Sequence, residues 1–190
     1  MDPLYEIDEI REKGQVTLLH ISDTPDIIYS FIFSVIDRLK PDYIIHTGDI
    51  VDNVKLAAGG SILAYQRSLQ RFVRELNKRD WAEKYIIPGN HDSLDCIREY
   101  AGSDIYLKEE GDIINIGDTD IGLAHYMEDL PADTVMSLYG HDKSMIESNK
   151  LFLNGLLNLN IVLLPSREIY KFSYPAGTDI DRGYRRLKLP

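Results

Sequence analysis

A chain of 190 residues, 44% hydrophobic and 27% charged, is sized for one domain and composed like a globular protein, not a disordered or membrane-embedded one. Its 21 basic and 31 acidic residues leave a formal charge of −10, which disfavours nucleic acid as a partner. One cysteine, Cys96, excludes internal disulfides and Cys-rich zinc modules, while an acidic N-terminus and the lack of any apolar run of bilayer length predict a cytoplasmic protein with no membrane partner.

Val16–Ile21 is expected to be a buried strand, followed by a helix whose apolar residues Ile28, Phe31, Ile32, Val35, Ile36 and Leu39 recur at three- and four-residue intervals before Pro41. Tyr43–Thr47 is the next strand, and a second amphipathic helix carries Ile62, Tyr65, Leu69, Phe72, Val73 and Leu76 on one face, entered through a turn at Gly59-Gly60. Tyr85–Ile87 then reads as strand and Leu94–Tyr100 as a short helix. The second half is richer in strands, at Ile113–Ile116, Asp120–Leu123, Val135–Tyr139 and Asn160–Leu164. No repeat, low-complexity tract or linker divides the chain, so residues 1–190 read as a single α/β domain: a layered α-β-β-α sandwich of two mixed sheets flanked by helices.

Function is written at the strand ends. The first three strands run into Ser22-Asp23, into Gly48-Asp49-Ile50-Val51-Asp52-Asn53, and into Pro88-Gly89-Asn90-His91-Asp92; two later strands end at His125 and at Gly140-His141-Asp142. Ligands of α/β sheets bind beyond the carboxyl ends of the strands, so these turns converge on one site. Histidines, carboxylates and an asparagine together form a nitrogen and oxygen donor set suited to a divalent cation.

In this order the segments resemble the motifs of the calcineurin-like metallophosphoesterases, in particular the compact single-domain branch. Gly48 to Asp52 matches G-D-x-x-D, Gly89 to Asp92 matches G-N-H-D, His125 stands as a lone histidine, and Asp23-Thr24-Pro25 and Gly140 to Lys143 are incomplete forms of D-x-H and G-H-x-H. The resemblance implies hydrolysis of a small phosphate ester, by a phosphodiesterase or phosphatase, through a metal-activated water. It places Asp23, Asp49, Asn90, His125 and His141 as metal ligands, His91 as the acid for the leaving oxygen, and Asp52 and Asp92 as groups that orient the others. The metal it implies is a divalent manganese, zinc, iron or nickel ion. Homo-oligomerisation is left open.

Pro25 and Lys143 depart from this pattern. Proline carries no donor atom and a lysine ammonium no lone pair, and both losses fall on the same one of the family's two metal ions. One ion is therefore expected, with weak or specialised turnover; the alternative is an inactive scaffold or sensor that keeps the fold. Lys143 is expected to fill the emptied position and pair with Asp23, and Asp26 and Asp142 are further candidate oxygen ligands. His20 and His46, inside apolar strands, read as hydrogen-bonded core residues and Cys96 as a packing residue. Tyr126 and Tyr139 flank two of the histidines as packing or pocket walls. Arg182, Arg185, Arg186 and Lys188 read as a solvated basic tail.

Overall fold

The computed structural model describes residues 3–144 and 150–184. A first helix, α1 (Pro3–Glu12), leads into β1 (Val16–Ile21); α2 (Tyr29–Leu39), β2 (Tyr43–His46), α3 (Ile62–Asn77), β3 (Glu83–Ile86), α4 (Leu94–Tyr100) and β4 (Ile105–Leu107) follow. The remainder is β5 (Ile113–Ile116), β6 (Thr119–Leu123), β7 (Met136–Tyr139), β8 (Leu151–Asn154), β9 (Leu159–Leu164), β10 (Glu168–Phe172) and the one-turn helix α5 (Thr178–Asp181). One sheet has the order β10-β9-β1-β2-β3-β4 and the other β5-β6-β7-β8. β1 to β4 are parallel, with β9 and β10 added antiparallel at one edge, while β6, β7 and β8 are parallel beside an antiparallel β5. Both sheets are thus mixed and helices flank them, as the alternation of apolar runs predicts.

Two apolar layers explain the packing. On β1, Leu19 and Ile21 point toward the helices and join Ile32, Ile36, Phe72 and Val73, while Leu18 points the other way and joins Ile121, Leu123 and Leu138 of the second sheet. Side chains alternate across a strand, so β1, buried from Thr17 to Ile21, packs on both faces. The helices α2 and α3 end or begin where local chemistry dictates. Lys40 takes a left-handed conformation (φ 53°) ahead of Pro41, and the Ser61 hydroxyl caps α3 by accepting from the Ala64 N–H. Among the described residues no helix is long and apolar enough to cross a membrane.

The sequence reading omits α1, β4, β8, β10 and α5. β8 is a run of only four residues, β10 mixes charged and apolar residues, and α5 is too short to show a period. His20 and His46 lie in the core as expected. Asn160 donates to His20 Nδ1, whose Nε2 sits 2.9 Å from the Thr47 hydroxyl; the Gly48 N–H faces His46 Nδ1, whose Nε2 is 2.9 Å from the Thr24 hydroxyl. Burial holds both imidazoles at a pKa of about 3. Cys96 is buried in the helical layer.

Candidate metal centre

The parallel register of β1, β2 and β3 brings their carboxyl ends side by side, and β6 and β7 of the second sheet end against them. Backbone bonds stitch the turns together. The Asp23 N–H donates to the Gly48 carbonyl and the Thr24 N–H to that of Asp49, both at 2.9 Å; the Gly140 N–H reaches the His125 carbonyl at 3.1 Å. Side chains add to this, with the His91 N–H donating to Asp49 Oδ1 (2.8 Å) and the His141 N–H to Asp23 Oδ2 (3.1 Å). Closeness demands glycine: a Cβ on Gly89 would lie 2.5 Å from the Asp49 backbone nitrogen, and one on Gly140 would lie 2.5 Å from Asp23 Oδ2.

Asp23 (φ 53°), Asp49 (φ 54°) and His141 (φ 67°) all adopt left-handed backbone conformations, three of the five non-glycine residues that do so among those described. Such conformations are costly outside glycine and concentrate at functional sites.

The donor atoms of Asp23, Asp49 and His125 lie within 4.8 Å of one another, and all three residues are buried. His125 Nδ1 is 2.7 Å from the Thr47 carbonyl oxygen, which can only accept. Nδ1 therefore carries a proton, and in the neutral imidazole the lone pair is on Nε2. That lone pair faces Asn90 Oδ1 at 3.1 Å, His141 Nδ1 at 3.2 Å and Asp49 Oδ2 at 3.6 Å. Two oxygen atoms and two imidazole nitrogens thus converge on one point. Burial, with Asp92 and Asp23 close by, pushes the Asp49 carboxyl far above the usual carboxylate range. Burial and the neighbouring His125 hold His141 below the usual imidazole range. Nitrogen and oxygen donors gathered in this way fit a divalent ion.

Asp52 and His91 border this cluster. Asp52 is fully buried and pairs through Oδ1 with Lys55, while its Oδ2 and His91 Nδ1 are buried without a hydrogen-bond partner among the described residues. Burial, with Asp23 nearby, raises the Asp52 pKa to about 6. Asp92 acts on the backbone instead: it accepts from the N–H groups of Ile50 and Gly89 and from the Tyr65 hydroxyl, tying the second turn to the third. The Tyr126 ring lies 4.2 Å from that of His141, tilted by 51°, at the edge of the site, whereas Tyr139 is buried and donates to the Ser144 carbonyl.

Two expectations are corrected. Lys143 does not pair with Asp23. Its ammonium lies 2.6 Å from Asp179 Oδ2 and over the Tyr184 ring, because the C-terminal segment presents a carboxylate and an aromatic face to it. Asp26 is engaged by Asn53, Ser68 and Arg71, and Asp142 Oδ1 accepts from the Ser144 N–H; neither is in the cluster of Asp23, Asp49 and His125. Arg182 is no solvated residue but is 3% exposed, since its guanidinium finds backbone carbonyls to satisfy it in the interior. Arg185, Arg186 and Lys188 lie outside the described residues. Sequence reasoning missed Lys55, Glu110, which accepts from the His125 N–H at 2.7 Å, and the roles of Arg182 and Tyr184. The sequence carries no spacing that singles these out.

A two-sheet sandwich with a candidate nitrogen and oxygen cation site at its strand ends is an architecture on which metal-dependent hydrolysis can be built. The chain matches the calcineurin-like phosphoesterase family over residues 16–178 and belongs to it. Among solved structures it resembles YfcE, a phosphoesterase from E. coli, with a TM-score of 0.57 and 12% sequence identity over 84% of this chain and 100% of that one. A second crystal structure aligns with a TM-score of 0.58 at 11% identity, covering 85% of this chain and all of its own. At these identities the likeness is one of fold. No curated protein sequence matches the chain.

Proposed function

We propose that this protein is a phosphoesterase that hydrolyses a small phosphate mono- or diester with one divalent ion, of the manganese, zinc, iron or nickel type. Asp49, Asn90, His125 and His141 would hold it, with Asp23 at its border. The observation that carries this reading is the convergence of acceptor atoms on the His125 Nε2 lone pair. A divalent ion bound there supplies positive charge that acidifies a water and neutralises charge on a phosphate oxygen.

The chain's own groups do the rest. His91, partly exposed beside the cluster, is placed to protonate the leaving oxygen as the P–O bond breaks and water oxygen bonds to phosphorus. Asp52, with one oxygen bound to Lys55 and the other unpartnered, lies on the inner side of the site and orients the machinery. Tyr126 gives the substrate an apolar wall. Local positive charge from the ion and Lys55 lets a small anion approach a chain whose net charge is −10.

The test is hydrolysis of bis(p-nitrophenyl) phosphate and p-nitrophenyl phosphate by manganese-loaded protein, with metal content measured on the same sample. His91→Ala should lower kcat about 100-fold or more while leaving the manganese content and melting temperature near those of the unmodified protein. Full activity in that variant would overturn the role of His91, and one bound ion with no turnover on either ester would favour the scaffold.

A further inference from the structure

Each left-handed residue of the site has its carbonyl held by a donor from elsewhere. The Asp49 carbonyl accepts from the Thr24 N–H, inside the family motifs. The other two are held by the C-terminal segment, which no motif covers. Arg182 Nε donates to the Asp23 carbonyl at 2.7 Å and its Nη2 to that of Ser22 at 3.3 Å, while the Tyr184 hydroxyl donates to the His141 carbonyl at 3.0 Å. The guanidinium also bonds the Leu156 carbonyl at 2.8 Å, lies over the Tyr174 ring at 4.5 Å, and meets Asp179 Oδ1 at 3.3 Å. Tyr174 is anchored in turn on the Gly155 carbonyl, and Lys143 joins the His141 turn to Asp179 and the Tyr184 face.

We propose that residues 174–184 form a strut that positions the cation site, with Arg182 and Tyr184 holding Asp23 and His141 in their left-handed conformations before any ion arrives. A carboxylate and an imidazole from different sheets are otherwise joined only by the bond from the His141 N–H to Asp23 Oδ2 at 3.1 Å and by the ion that they would bind. Here a buried fixed cation and a phenol reinforce that joining. The positive guanidinium behind the Ser22-Asp23 turn also offsets part of the charge of the buried carboxylates. Pro25 and Lys143, the two positions at which the sequence lacks a histidine, sit in the same two turns that the strut ties down, so the tie does not depend on ligands at those positions. Arg182 and Tyr184 are positioning residues: they touch backbone and not the reacting atoms.

The inference rests on the cation-site reading but is measured separately from turnover. In the full-length protein, hydrogen exchange of the Asp23, Thr24, Gly140 and His141 amides should be nearly as slow in EDTA as with manganese. Tyr184→Phe removes one hydroxyl and keeps the ring. It should make protection of the His141 turn metal-dependent and weaken manganese binding by titration ~10-fold; Arg182→Met should weaken it ~10–100-fold, with Arg182→Lys in between. Amides of the unmodified protein that are protected only with manganese would overturn the proposal. So would a folded Tyr184→Phe variant with unchanged manganese affinity and exchange. If Arg182→Met fails to fold, Tyr184→Phe decides. Absent turnover with slow exchange in EDTA would defeat the phosphoesterase reading and leave the strut standing.

Discussion

Asp49 is the residue at which the demands of folding and of ion binding conflict most directly. Its carboxylate is buried beside Asp92 and Asp23, and among the described residues only the His91 N–H, at 2.8 Å, is a dedicated donor to it. Without an ion its negative charge is a cost, because burial and like charges both oppose ionisation. Asp49→Asn should therefore raise the melting temperature in EDTA by roughly 2–8 °C, equivalent to about 1–2 kcal/mol in a chain of this length. The amide keeps an oxygen for the His91 N–H and turns a donor toward His125 Nε2, now 3.6 Å from Asp49 Oδ2. The same change should abolish manganese binding by calorimetric titration. A variant less stable than the parent in EDTA would show that the carboxylate is better satisfied than the distances imply.

At the scale of elements, the site depends on turns passing closer together than side chains permit. Gly89→Ala should cost about 1–3 kcal/mol, because the new Cβ meets the Asp49 backbone, which has no freedom to move away. Gly177→Ala is the control: its Cβ meets nothing within 4 Å, so only the strain of φ 96° remains, worth about 1 kcal/mol. Chemical denaturation of both variants measures the difference, and equal losses would mean that the turns have slack. The same element scale explains what the sequence made legible. Asp23, Asp49, Asn90, His91, His125 and His141 each follow a strand at once, and strands of a parallel register end together, so their convergence follows from pattern alone. Arg182 and Tyr184 reach the site from α5 and its exit, 159 and 43 residues from the atoms that they contact. A four-residue helix with no apolar period carries no signal for such a return. The partner of Lys143, Asp179, lies in that same segment, so the sequence carries no signal for this pair either.

Considered as a whole molecule, the acid–base balance has two opposed parts that meet beneath the site. His20 and His46 are buried neutral, with pKa values of about 3 against an ordinary imidazole value of 6.5. Between those limits the unfolded chain binds protons that the folded chain refuses, so these histidines remove stability as the pH falls through 6.5 toward 3. The buried carboxylates Asp49, Asp52 and Asp92, all shifted upward, act in the other direction, since the folded state takes up their protons first. A raw stability curve mixes the two. The histidine contribution is isolated by His20→Gln, whose amide can still serve the Thr47 hydroxyl but does not titrate. One imidazole of this kind costs roughly 2 kcal/mol between pH 7 and pH 5. In EDTA, the melting temperature of the unmodified protein relative to His20→Gln should therefore fall by ~4–8 °C over that interval. The sign is firm whichever protein is more stable at neutral pH, because only the change in their difference is read. A difference that stays flat from pH 7 to pH 5 would mean that His20 is protonated in the folded state, which its two hydrogen bonds at 2.9 and 3.2 Å and full burial oppose.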